Sequence, residues 1–205
     1  MRIAHPKLWI ILLAAAMMAM TLTVLAADQK KQPTPEEMQK MMEAWQKIAA
    51  PGAQHATLSE MAGNWTYHMT MHGIGDKPME MDGTANSEMI FDGRFLSMKS
   101  HGTMMDMPFE GMGTMGYDNF RGEYQMTWMD NMGTMTAFTR GKTGSDPKVI
   151  TLTGKMDEPT TGEKDKDVKY VWRIKDHDHH SMEAYDLVGT PQEFKAMEIA
   201  FTRKP

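Results

Sequence analysis

The chain reads as an all-β protein: an antiparallel up-and-down β-barrel of about eight to ten strands, preceded by a short amphipathic helix. Two observations point to a sheet of this kind. From Gly63 onward apolar and polar residues alternate at period two, and clusters of Asp, Asn, Gly and Pro punctuate the runs. Period two puts one side-chain set on each face of a strand, and about ten short runs with turn signals between them are the expected layout of an antiparallel sandwich or up-and-down barrel.

Before the barrel comes an export signal. Arg2, His5 and Lys7 form a short basic stretch, Leu8 to Leu25 is a nearly unbroken apolar run, and Val24-Leu25-Ala26-Ala27 offers small residues for cleavage before Asp28. The expected layout is a signal peptide at 1–27, a linker and helix at 28–52, and a barrel domain at 53–205. An uncleaved signal is the one expected route to a membrane, its apolar run being barely long enough to span. A periplasmic or secreted protein is expected either way. With no Cys, neither a disulfide nor a lipid-modified Cys can form. Past residue 27 the chain carries 20 basic and 27 acidic residues, a formal charge of −7, which argues against nucleic acid as a partner.

The helix is predicted from its caps. Thr34 can cap it, Pro35 suits the first position, Glu37 completes a capping-box spacing, and Pro51-Gly52 ends the run. Met38, Met41, Met42, Trp45 and Ile48 recur at helical intervals, a stripe expected to pack on the domain that follows.

In the first strand Trp65, Tyr67, Met69 and Met71 share one parity, and Thr66, His68, Thr70 and His72 the other. After a turn at Gly73 to Asp76, Met79, Met81, Ala85, Met89 and Phe91 continue the alternation, with Gly83 read as a bulge and Asp92-Gly93 as a hairpin turn. Further faces fall at Leu96 and Met98, Phe109 and Met115, Tyr124 to Trp128, Val168 to Ile174, and Met197 to Phe201. Between them, turns are expected at 118–122, 130–133, 141–146, 158–162, 176–178 and 189–191. Gly111, Gly113 and Gly116 read as strand bends. Gly63-Asn64-Trp65 on the first strand and Arg203 on the last, with the parity of Met197, Ile199 and Phe201, resemble the lipocalin-like superfamily, and the resemblance implies that Gly63, Trp65 and Arg203 meet at the closed end of the barrel, a cation covering an indole while its donors reach loop carbonyls.

Several segments carry a resemblance. Gln54-His55-x-x-Leu58-x-x-Met61-Ala62-Gly63-Asn64-Trp65, Gly93-Arg94-Phe95, Phe109 to Asn119, Trp128-Met129-Asp130, Gly133-Thr134 and Phe201-Thr202-Arg203 resemble an uncharacterised bacterial family catalogued as domain of unknown function 1579, over about Pro51 to Lys204. The resemblance implies a lipocalin-like barrel and supplies no reaction or functional residues. Gln54 departs from the pattern, standing where an acid usually precedes the His, and methionine replaces many aliphatics.

Methionine dominates the apolar composition. Past residue 27 there are 22 Met against 4 Leu, 6 Ile and 4 Val, and 15 of the 22 lie between Met69 and Met135. Methionine must therefore fill much of the core, where it adapts its shape and offers soft sulfur. A barrel of this size has an interior that is filled or that holds one small ligand. If it is open, the expected ligand-binding residues are Tyr67, Met69, Met89, Arg94, Met98, Tyr117, Met126, Trp128 and Trp172, and the expected partner is a small, mainly apolar molecule, bound without a cofactor and without being transformed. Arg94 has an ordinary rival role beside its turn, pairing with Asp92 or Asp118.

The alternative is a Cu(I) or Ag(I) site. Met69 with Met71 and Met79 with Met81 are Met-x-Met pairs suited to copper, Met105 with Met107 is a third, and His177, His179 and His180 form a dense run that also suits a solvated turn. A further alternative is an oxidant sink in the cell envelope, with Met132 and Met182 exposed. No nucleophile motif, phosphate loop or metalloprotease spacing is present, so an enzyme is not the expectation; Glu110 with Arg94 is the nearest approach to an acid and base pair. Oligomeric state is not legible from the sequence.

Overall fold

The computed structural model describes residues 32–73, 76–159 and 161–205; the expected signal peptide lies outside them. The described residues fall into two compact units, one ending at Lys47 and one running from Ile48 to Pro205. The first carries most of helix α1 (Pro35–Ala49), whose capping box is formed: the Thr34 amide donates to Glu37 Oε2 at 2.7 Å and the Glu37 amide to Thr34 Oγ1 at 3.2 Å. No residue of α1 is buried, and its apolar stripe is exposed. No described helix is long and apolar enough to cross a membrane.

The second unit is a closed antiparallel barrel of ten strands in meander order. They are β1 (Gly63–Met71), β2 (Met79–Ile90), β3 (Phe95–Met104), β4 (Met107–Asp118), β5 (Glu123–Asp130), β6 (Ala137–Thr143), β7 (Val149–Glu158), β8 (Glu163–Ile174), β9 (His179–Asp186) and β10 (Phe194–Arg203). Ring closure by β1 with β10, from Trp65↔Arg203 to Met71↔Met197, leaves no free sheet edge. Trp65, Tyr67 and Met69 are buried on the inner face of β1 while Asn64, Thr66 and His68 are exposed, the opposite polarity to a barrel that spans lipid.

The two ends differ. Helix α2 (Ala53–Ser59) precedes β1 at one end and buries His55 and Leu58. There Arg203 lies with its guanidinium carbon 4.1 Å from the Trp65 ring centre. Its Nε, Nη1 and Nη2 donate to the carbonyls of His177, Ala62 and Glu60 at 2.8, 2.8 and 3.0 Å, and the Trp65 indole donates to Met61 O at 3.1 Å. Gly63 is obligatory beneath it, since its φ is +143° and a Cβ would collide with Arg203 Nη1. The family-like residues nearby have structural roles as well. His55 Nδ1 accepts from the Gly52 amide at 3.0 Å, and Asn119 Nδ2 donates to Ile48 O and Ala50 O, both at 2.8 Å. Burial holds the His55 imidazole below its usual pKa.

Several local expectations need correction. Gly83 is not a bulge, because β1 and β2 stay in register from Gly63↔Ser87 to Met71↔Met79. Phe91 leaves the alternation and is 70 % exposed in the turn, where Phe91 and Asp92 take positive φ. Gly141 belongs to β6 rather than to the following turn. The glycines of β4 are clearances more than bends: a Cβ on Gly111 would strike the Trp128 ring, one on Gly113 the Thr127 carbonyl and then that ring, and one on Gly116 the Phe95 ring. Met182, expected to be exposed, is buried on the inner face of β9.

Candidate functional site

A cavity of about 690 Å³ occupies the barrel lumen, within the range of roughly 300–1,000 Å³ usual for small-molecule sites. Its walls come from inward positions of the strands, and twelve methionines line it, joined by Tyr67, Phe109, Trp128, Tyr170, Trp172 and Phe201. Two glycine clearances help keep the lumen open. Tyr67 lies over Gly83 and Gly102, where any Cβ would meet its phenol, and its hydroxyl donates to His101 O at 3.3 Å. Trp128 lies over Gly111 and Gly113 and donates from its indole to Asp130 Oδ2 at 3.1 Å. With these rings against the wall, the interior is open rather than filled.

The closed end forms the floor. His180 lines the cavity, packs edge-on to Trp65 at 4.3 Å between ring centres, and stacks on Phe201 at 4.4 Å. The order downward is cavity, His180, Trp65, Arg203. Burial first, and the Arg203 charge second, push the His180 pKa down to about 3, so its imidazole is neutral at neutral pH. His180 Nδ1 and Trp172 Nε1 are buried without a hydrogen-bond partner. Two further polar side chains, Ser87 and Ser100, belong to the lining. At the other end the lining ends in Met129, Met132, Met135 and Met156, with Asp130, Asp157 and Glu158 beside them.

Of the residues expected to bind a ligand, Tyr67, Met69, Met98, Met126, Trp128 and Trp172 line this cavity. Met89, Arg94 and Tyr117 do not. Met89 is half-buried near the closed end of β2 and packs against the core. Arg94 sits in the β2–β3 turn, donating to Phe91 O at 3.0 Å and lying 3.7 Å from Asp92 Oδ2, because the turn ends the inward parity before β3 begins. Tyr117 packs its ring on His55 and Tyr124 at the closed end. The period-two reading found the strand faces but not their height along the barrel.

The metal candidates divide in the same way. Met69 is the cross-strand partner of Met81, Met71 of Met79, and Met71 also of Met197 across β10, so these thioethers share one patch of the inner wall. Met105 and Met107 flank the β3–β4 turn and are exposed. The histidine run is split: His179 bonds to Asp176 at 2.8 Å on the outside, His177 is exposed in the turn, and only His180 faces inward. Among the described residues no group of three or more His, Asp or Glu is placed to hold an ion. Glu110 and Arg94 do not meet, since Glu110 lies 3.9 Å from His101 on the outer surface. Sequence reasoning missed His180 as a lumen residue, along with Ala137, Met156 and the two serines. The parity of His180 with Met182 and Ala184 was the signal available for the first.

A family model described as "Protein of unknown function (DUF1579)" matches residues 50–203. No curated protein matches the chain. Among solved structures, the crystal structure of Rv2717c from M. tuberculosis is 17% identical, covering 76% of this chain and 100% of that one with a TM-score of 0.53. A redesigned beta barrel, b11L5F_LGL, is 15% identical over 73% of this chain and 96% of its own, with a TM-score of 0.40. At such identity the first likeness concerns the fold alone.

Proposed function

The chain belongs to the DUF1579 family of unknown function, and on that premise we propose that it binds a small, mainly apolar molecule in the barrel lumen without transforming it. One observation carries the reading: a cavity of about 690 Å³ walled by methionine and aromatic side chains. Burying apolar surface there yields roughly 25 cal/mol per Å², and unbranched thioether side chains repack around guests of different shape. The basic and apolar pattern of residues 1–27 supports a periplasmic or secreted setting for this activity. Native mass spectrometry and solvent extraction of purified protein test for a carried guest, and uptake of the apolar fluorophore N-phenyl-1-naphthylamine tests for binding directly. Failure of the probe to enter the lumen dismisses the reading.

The strand register favours a second reading, a Cu(I) or Ag(I) site. Met69, Met71, Met79, Met81 and Met197 sit at adjacent inward positions, where opposed Cβ atoms lie about 5 Å apart and flexible thioethers can converge. Titration with Cu(I) under reducing conditions should then show an affinity that falls at least tenfold when Met69, Met71, Met79 and Met81 become Leu. An unchanged affinity removes the copper site.

A further inference from the structure

The lumen walls are mainly methionine and aromatic rings, with Ser87 and Ser100 among them, and the floor carries His180; we infer that its guest is an uncharged amphiphile whose hydrogen-bonding end, a hydroxyl or carbonyl, seats against His180 with the hydrocarbon toward the mouth. This rests on the binding reading above and specifies it.

Polar groups are unevenly placed. His180, 4 % exposed, stands at the floor with Trp172, and each has a ring nitrogen without a partner. A buried polar group left unmatched costs about 1–3 kcal/mol, so a guest that brings a hydrogen-bonding atom to this end is favoured over a plain hydrocarbon. Being neutral, His180 has one donor and one acceptor nitrogen, so a hydroxyl suits either tautomer and a carbonyl the one that turns its N–H to the guest.

Charge selects against a carboxylate. No Lys or Arg lines the cavity among the described residues. The cation behind the floor, Arg203, lies beyond the Trp65 indole and is committed to the carbonyls of His177, Ala62 and Glu60, with Asp178 Oδ1 3.7 Å from its Nε, and Lys166 at the other end is held by Asp186 at 2.7 Å and Glu158 at 3.9 Å. A carboxylate at the floor would be stripped of water without an ion partner, and buried charges of that kind are strongly disfavoured. The acids at the mouth, Asp130 and Asp157, oppose its entry further.

The test is displacement of N-phenyl-1-naphthylamine at pH 8 by 1-dodecanol and by dodecanoate, two chains of equal length. The expected result is half-displacement by the alcohol at a concentration at least tenfold below that for the acid. His180→Leu should bring the two within about threefold, and His180→Gln should restore part of the preference. Equal or better displacement by dodecanoate from the wild-type protein overturns the inference without needing any variant to fold. So does an alcohol preference that survives His180→Leu. If the probe never binds, the lumen-binding reading itself falls, and this one with it; probe uptake without discrimination removes only the uncharged head.

Discussion

At the scale of single residues, the closed end concentrates the demanding positions. Gly63→Ala must place a Cβ against Arg203 Nη1 at a φ that L-residues avoid, so a loss of about 2–3 kcal/mol is expected in urea unfolding. A loss under half that would mean the guanidinium has another seat. His180 makes stability depend on pH. Its folded pKa of about 3 lies below the 6.5 of the unfolded chain, so on acidification the unfolded state takes up the proton first. The contribution is whole above pH 6.5 and is lost progressively down to about pH 3. Between pH 6.5 and 5 the wild-type protein should lose about 2 kcal/mol that His180→Phe does not, measured by urea midpoints at each pH. Parallel slopes for the two proteins would rule this out.

Among the elements, β4 and β5 show how a small residue on one strand positions a large one on its neighbour. Trp128 pairs with Gly113 and extends over Gly111, so Gly111→Val should drive the indole off the wall, cost about 1–3 kcal/mol and shift its fluorescence. An unshifted spectrum with unchanged stability would contradict that placement. Methionine chemistry also sorts by element. Met105 in the β3–β4 turn, Met112 on an outer strand position and Met129 at the mouth are exposed, whereas Met61 at the closed end and Met115 inside β4 are fully buried. Brief mild peroxide followed by peptide mapping should find sulfoxide at the first three well before the last two. The strands were legible because alternation survives methionine for aliphatic replacement. The glycines were not, since a bulge, a bend and a ring clearance leave the same letter in the sequence.

For the whole molecule, the open lumen is the property that matters, and it can be removed without touching the walls elsewhere. Ala137 lines the cavity and pairs across the sheet with Trp128, so Ala137→Trp would extend a second indole into empty space. The expected outcome is a fold intact by circular dichroism with N-phenyl-1-naphthylamine affinity reduced at least tenfold. Undiminished affinity would place the probe outside the lumen.

Period-two alternation and turn chemistry determined an all-β antiparallel sheet from the sequence alone, because each is a local rule that a strand must satisfy, and the resemblance of Gly63-Asn64-Trp65 and Arg203 to a lipocalin-like closed end pointed to the barrel. The tertiary structure decided the rest. Parity names a face but not a height, so Met89 and Arg94 fell to the closed end while His180, read among turn residues, became the floor. Whether the interior is filled or open depends on which wall position opposes each ring. Gly83 and Gly102 under Tyr67, on strands that neighbour one another, fix that only when the sheet closes.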